Sequence, residues 1–135
     1  MDFSGINPWA ILVAALSNFL VGGLWYSPLL FAKRWMKEIG LTEEELRQSN
    51  MARIFGLTFL FSLVIAANMA FFQRIYQPDW GMGALVGAMI GLGWVTMSMA
   101  TNALFERRST VYMLIHMGNA VVSYAVMGAI IGAWR

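Results

Sequence analysis

Four long apolar stretches alternate with short polar ones along the chain. Residues 7–31 (NPWAILVAALSNFLVGGLWYSPLLF), 54–72 (IFGLTFLFSLVIAANMAFF), 82–105 (MGALVGAMIGLGWVTMSMATNALF) and 111–134 contain no Asp, Glu, Lys or Arg. As helices rising ~1.5 Å per residue, each matches or exceeds a hydrocarbon core of ~30 Å. The pattern predicts an all-α membrane protein of one domain, residues 1–135, with four transmembrane helices and no room for a soluble domain.

Local signals place the ends. Pro8 suits the first helical turn, where its missing N–H costs nothing. Pro28 cannot donate to the carbonyl of Leu24, which predicts a kink or break near the end of the first span. In residues 33–50 (KRWMKEIGLTEEELRQSN), Phe31, Trp35, Met36 and Ile39 share one helical side and Lys33, Arg34, Lys37 and Glu38 lie elsewhere. That spacing predicts a short amphipathic helix in the membrane interface, stopped by Gly40. Thr42 and the acids after it form a capping box, predicting a helix that starts there and runs on into the second span. Pro78 and Asp79 read as a stop followed by an N-cap. Residues 106–108 form a tight turn, and Ser109 or Thr110 caps the fourth span.

Composition sharpens this picture. The chain is 59% hydrophobic and 12% charged, with mean hydropathy +0.63, against about 25% charged in a soluble domain. A soluble enzyme, a disordered tail and a nucleic-acid module are poor fits, and a net charge of +2 is no polyanion footprint. Twelve of the sixteen formal charges lie in residues 33–53 or 106–108. Lys33, Arg34, Lys37, Arg47, Arg53, Arg107 and Arg108 fall on one predicted side, with only Arg74 and Arg135 on the other. Seven against two predicts both termini outside and loops 33–53 and 106–110 in the cytoplasm. Trp9, Trp80 and Trp134 then mark the outer interface, and Trp25, Tyr26, Trp35 and Tyr112 the inner one. The segment before the first span carries Asp2 and no Lys or Arg, so that span is expected to be retained.

The octapeptides MGALVGAM (82–89) and MGAIIGAW (127–134) look alike, but their spans run in opposite directions and short apolar strings recur by chance. More specific is residues 23–40, GLWYSPLLFAKRWMKEIG. It resembles the opening motif of a family of small bacterial membrane proteins catalogued as domain of unknown function 1761. NALFERR (102–108) and the closing MGAIIGAW are also similar to that family. The resemblance covers essentially the whole chain, with Trp25-Tyr26-Ser27-Pro28 its most specific part. Ala32, where Gly often stands, and His116 and Asn119 depart from the family pattern. The resemblance implies four spans in a bacterial cytoplasmic membrane and supplies no activity.

With no Cys and only His116, disulfides, thiolate chemistry and Cys-type zinc sites are excluded, and a multi-His metal or haem site would need an oligomer. No metal site, cofactor or catalytic residue is expected. No Asp or Glu lies in any span, so carboxylate-based proton exchange of the kind used by small four-span dimeric drug exporters is not expected. Ser98 or Ser123 with His116 is only a chance protease-like pairing.

Two helices carry patterned faces. At 100° per residue, Gly83, Gly87, Gly91, Trp94, Ser98, Thr101 and Asn102 share one sector of the third span. In the fourth, Tyr112, His116, Asn119 and Ser123 form a stripe opposite Gly118, Ala125, Gly128 and Gly132. Gly83, Gly87, Gly91, Gly128 and Gly132 are candidate helix-packing positions, within the chain or between subunits. Ser98, Thr101, Asn102, Tyr112, His116, Asn119 and Ser123, with Trp25 and Tyr26 at the first corner, are candidate ligand-binding residues in the inner half of the membrane. The competing reading is that these groups hydrogen-bond across helices for about 0.6–2 kcal/mol each and line nothing. Ser17, Asn18 and Asn68 share that ambiguity. Lys33, Arg34 and Lys37 are expected to meet lipid head groups.

The favoured function is non-enzymatic transport or binding of a small ligand or lipid between the third and fourth helices. The alternative is a structural or accessory protein that packs through its glycine faces. Expected partners are membrane lipids and further copies of the chain, with no nucleic acid; no protein partner can be named.

Overall fold

The computed structural model describes residues 4–134. Among these residues there is no strand, and four helices are long and apolar enough to cross a membrane.

Helix α1 (Pro8–Trp25) starts with Pro8 in its first turn and Asn7 as N-cap, its side chain accepting the Trp9 N–H at 2.9 Å. The first span ends earlier than its apolar run. Ser27 donates through N–H and Oγ to the Leu24 carbonyl, at 3.1 and 2.6 Å, taking the acceptor that Pro28 cannot use. Residues 26–31 therefore turn instead of extending the helix to 31. At 18 residues, α1 is about 27 Å long.

Helix α2 (Ala32–Ile39) is the short amphipathic element, with Lys33, Arg34 and Lys37 exposed and Gly40 closing it at φ 72°. That left-handed conformation is one glycine adopts without strain. Thr42 caps α3 (Glu43–Arg47), accepting the Glu45 N–H at 3.1 Å. The expectation that this helix continues into the second span is corrected: α3 stops at Gln48, and α4 (Met51–Tyr76) starts afresh. Asn50 side-chain oxygen accepts the Arg53 N–H at 3.1 Å, offering the backbone a cap that competes with continuation. Gln77 ends α4 in the left-handed region, Pro78 follows, and Asp79 caps α5 (Trp80–Ile90).

The third span is continuous from Trp80 to Phe105, but its middle, Gly91–Thr96, is a π-helical turn that leads into α6 (Met97–Phe105). Ser109 caps α7 (Thr110–Ala133) by accepting the Tyr112 N–H at 3.0 Å.

Helix α7 is the hub, packing against α5, α1, α4, α2 and α6. On its α5 side the glycines of both helices meet. A Cβ on Gly83 would overlap the Gly128 carbonyl, one on Gly128 the Gly83 carbonyl, and one on Gly87 the Tyr124 carbonyl. A Cβ on Gly132 would press on the Asp79 carbonyl, and one on Gly91 would come within 3.0 Å of Ala120 O. The glycine seam therefore lies inside the chain, where backbone proximity replaces the hydrophobic drive that lipid does not supply. Gln73 of α4, buried, braces it, its Nε2 donating to the carbonyls of Gly83 and Gly128 at 3.3 Å each. On the other side of α7, Ala14 and Ala15 of α1, Ala66, Met69 and Ala70 of α4, and Met127 and Ile131 form the apolar core.

Candidate functional site

The π turn decides which side chains of the third span face α7. Beyond Gly91, a regular helix carries the inward face through Trp94, Ser98, Thr101 and Asn102. A π turn inserts an extra residue, and the buried positions are instead Thr96 and Ala103. Trp94 is 66% exposed, and Ser98 and Thr101 are also exposed. Thr101 bonds only the Met97 carbonyl of its own helix, at 2.9 Å. Ser98 and Thr101 are thus displaced from the site expected of them, because the register of one ideal helix does not persist through residues 91–96.

The other expected residues largely converge. The turn after α1 brings Trp25 and Tyr26 against α7. Trp25 Nε1–H donates to Ile115 O at 2.8 Å, and its ring lies over Gly118, where a Cβ would come within 2.6 Å of Cζ2. Tyr26 Oη and His116 Nδ1 are 2.6 Å apart. Tyr112, one turn before His116, meets that imidazole edge-on with centroids 4.4 Å apart. Trp35 of α2 packs against Tyr26, with ring centroids 5.1 Å apart. Asn119 lies one turn deeper and accepts from buried Ser123 Oγ at 3.3 Å. Neither Ser123, turned to Asn119, nor exposed Ser98 pairs with His116. His116 Nε2 is buried with no hydrogen-bond partner.

A cavity of about 160 Å³ opens between the two helices at this level. Met99, Asn102 and Ala103 form its α6 wall, Glu106 stands in the following turn, and Tyr112, Met113, His116 and Met117 form its α7 wall. Beside it, α2 is latched to the start of α7: Ser109 Oγ donates to Glu38 Oε2 at 2.5 Å, and Arg34 Nε donates to the other carboxylate oxygen at 3.0 Å. The Ser109 hydrogen bond, helped by Arg34, holds the Glu38 carboxyl below its ordinary range. Arg34 is thus tied to Glu38, while Lys33 and Lys37 are exposed. Arg108 places its guanidinium 5.2 Å from the Tyr112 ring centroid and 3.6 Å from Glu106.

Asn18 donates to Ser62 Oγ at 2.7 Å, bridging α1 to α4, and Asn68 donates to the Val64 carbonyl of its own helix at 2.8 Å. Sequence reasoning missed Gln73, which lies just past the apolar run 54–72, and the methionine lining of the cavity. The only local signal for the latter is the four-residue spacing of Met113 and Met117.

The model of a family described as "Protein of unknown function (DUF1761)" matches residues 9–132. The chain belongs to this family. No curated protein and no solved structure matches it. The family match extends from α1 to α7, so the corner at Trp25 and Tyr26 and the cavity both lie within it.

Proposed function

We propose that this protein binds a small polar solute or ion in the cavity between α6 and α7, as a transporter or membrane-embedded binding protein. The observation that carries the reading is His116: its ring is fixed by Tyr26 and Tyr112, it lines the cavity, and its Nε2 is buried without a partner. A buried polar atom left unpaired costs about 1–3 kcal/mol, and a ligand that bonds it recovers that cost. Asn102 and Glu106 add an amide and a carboxylate to the same lining. The charge asymmetry of the loops supports an orientation with α2 and the cavity on the cytoplasmic side.

The accessory reading rested on free glycine faces. Gly83, Gly87, Gly91, Gly128 and Gly132 face neighbouring backbone within the chain, so that reading loses its surface. A homo-oligomer would have to form through other lipid-facing positions.

The test is a thermal-shift screen of small polar solutes and ions on the protein in nanodiscs. A ligand at a hundred times its Kd stabilises by about 2.7 kcal/mol. A solute is expected to raise the Tm of the wild type and not that of His116→Ala or Asn102→Ala. If the wild type and His116→Ala respond alike to every solute, the proposal fails.

A further inference from the structure

The cavity has a more specific chemistry than small polar groups alone provide. Met113 and Met117, four residues apart, stand on one face of α7 with His116 between them in sequence, and Met99 comes from α6 opposite; all four line the same space. Met99 is there because of the π turn: it takes the place along the seam that an unbroken helix would give to Ser98. We infer that this cavity is a site for a soft monovalent metal ion, Cu(I) in chemical class, bound by the thioethers of Met99, Met113 and Met117 and by Nε2 of His116. The inference rests on reading the cavity as a binding site and names what fills it.

Thioether sulfur and imidazole are ligands that favour Cu(I), whereas Mg and Ca ions want hard oxygen donors. Among the described residues no group of three or more His, Cys, Asp or Glu is placed to hold a metal ion. All four donors here are neutral. The cost of taking an ion out of water rises with the square of its charge, so a neutral donor set at a membrane helix interface selects a monovalent ion over zinc. Glu106, in the same lining, has its carboxylate 3.6 Å from Arg108 Nε, so its charge is partnered by a guanidinium.

The surroundings of His116 match a ligating histidine. Such a residue donates its second ring N–H to an oxygen that fixes the tautomer and the ring orientation. Tyr26 Oη lies 2.6 Å from Nδ1, and in the tautomer that ligates a metal Nδ1–H donates to it, leaving the unpartnered Nε2 to present its lone pair. Binding forms dative bonds only and moves no electrons. Met side chains have three rotatable bonds and adjust to the ion without backbone movement.

The experiment uses the full chain in nanodiscs with Ag(I) as a probe that does not change oxidation state, followed by Cu(I) under anaerobic conditions. The expected result is one ion per chain, with X-ray absorption at the copper edge showing sulfur and one nitrogen. Met99→Leu, Met113→Leu and Met117→Leu together keep volume and apolarity and are expected to abolish binding. Tyr26→Phe, which loses the orienting oxygen, should weaken it at least about tenfold. Met82→Leu, an exposed methionine at the other end of the third span, should change nothing. No Ag(I) binding by the wild type, equal binding by the triple Leu variant, or Zn(II) bound as tightly as Ag(I) each overturns the metal assignment. If Ag(I) fails while another solute still shifts the Tm in a His116-dependent way, the metal falls and the binding site stands. If His116→Ala alters neither response, both fall.

Discussion

Helices α5 and α6 belong to one span and pack on the same partner, α7, yet they meet it by different rules. In α5 the four-residue spacing of Gly83, Gly87 and Gly91 runs straight along the contact, and backbones touch with no room for a methyl group. Toward α6 the regular advance of about 100° per residue carried forward selects Trp94 and Ser98, but the buried positions are Thr96 and Ala103, and Met99, not Ser98, lines the cavity. Between them lies the π turn Gly91–Thr96, in which Thr96 is buried and its hydroxyl bonds the Leu92 carbonyl. A close-packed seam tolerates no register error, so the extra residue is accommodated where packing loosens and a cavity opens. π turns inside helices occur often at functional sites, and here the turn separates a close-packed half from a half that lines a cavity.

The largest expected effect tests the closed half. Gly87→Leu places a side chain in the Tyr124 backbone and should cost about 3 kcal/mol, so that the folded protein does not survive detergent extraction. Gly93→Leu, with nothing within 4 Å of its Cβ, should behave as wild type. Equal stability of the two variants by thermal denaturation would mean the seam does not hold the fold.

Next comes the turn itself. Deleting Gly93 should restore regular helix and rotate α6 by about 100° relative to α5. The chain has no native cysteine, so Ser98→Cys and Met99→Cys report their environments cleanly. Thiol labelling of Ser98→Cys should fall in the deletion and that of Met99→Cys should rise; unchanged labelling would show that the turn does not set the face.

Gln73→Leu removes the brace over the Gly83–Gly128 contact and should destabilise by about 1–2 kcal/mol, measured as a Tm shift in nanodiscs. A neutral result would reduce Gln73 to a spectator.

The smallest effect concerns the α2 latch. Glu38 has a depressed folded pKa, so its contribution is present above the ordinary glutamate range and is lost as pH falls through the lower folded value. Trp35 on α2 should report looser packing against Tyr26 by fluorescence as the medium is acidified below that range. Glu38→Gln should remove this pH dependence; its persistence would assign the transition to another group.

Much of this architecture could be read from short windows. The N-caps Thr42, Asp79 and Ser109, and the stop at Gly40, depend on a side chain reaching a backbone group three residues away or on a single φ angle. Their signals are therefore local. The same locality is a limit at Thr42: the capping box marks a helix start, but the competing cap at Asn50 ends that helix before the second span. At the site, Tyr26, Tyr112, His116, Asn119 and Asn102 were identifiable because polar groups in apolar spans are few. Gln73 and the methionines were not, since a glutamine near a span end and a methionine in an apolar run look like ordinary composition until a neighbouring helix supplies the other wall.

The sequence by itself determined the four spans, the caps at Thr42, Asp79 and Ser109, and the scarcity of ionisable groups within the spans, because hydropathy and capping act over one helix at a time. Only the tertiary structure decided that the glycine faces close on each other inside the chain, that α7 is the hub, and that Met99 rather than Ser98 lines the cavity with His116. Those outcomes depend on how two backbones fit at contact distance, and a single extra residue in a π turn redirects every side chain that follows it.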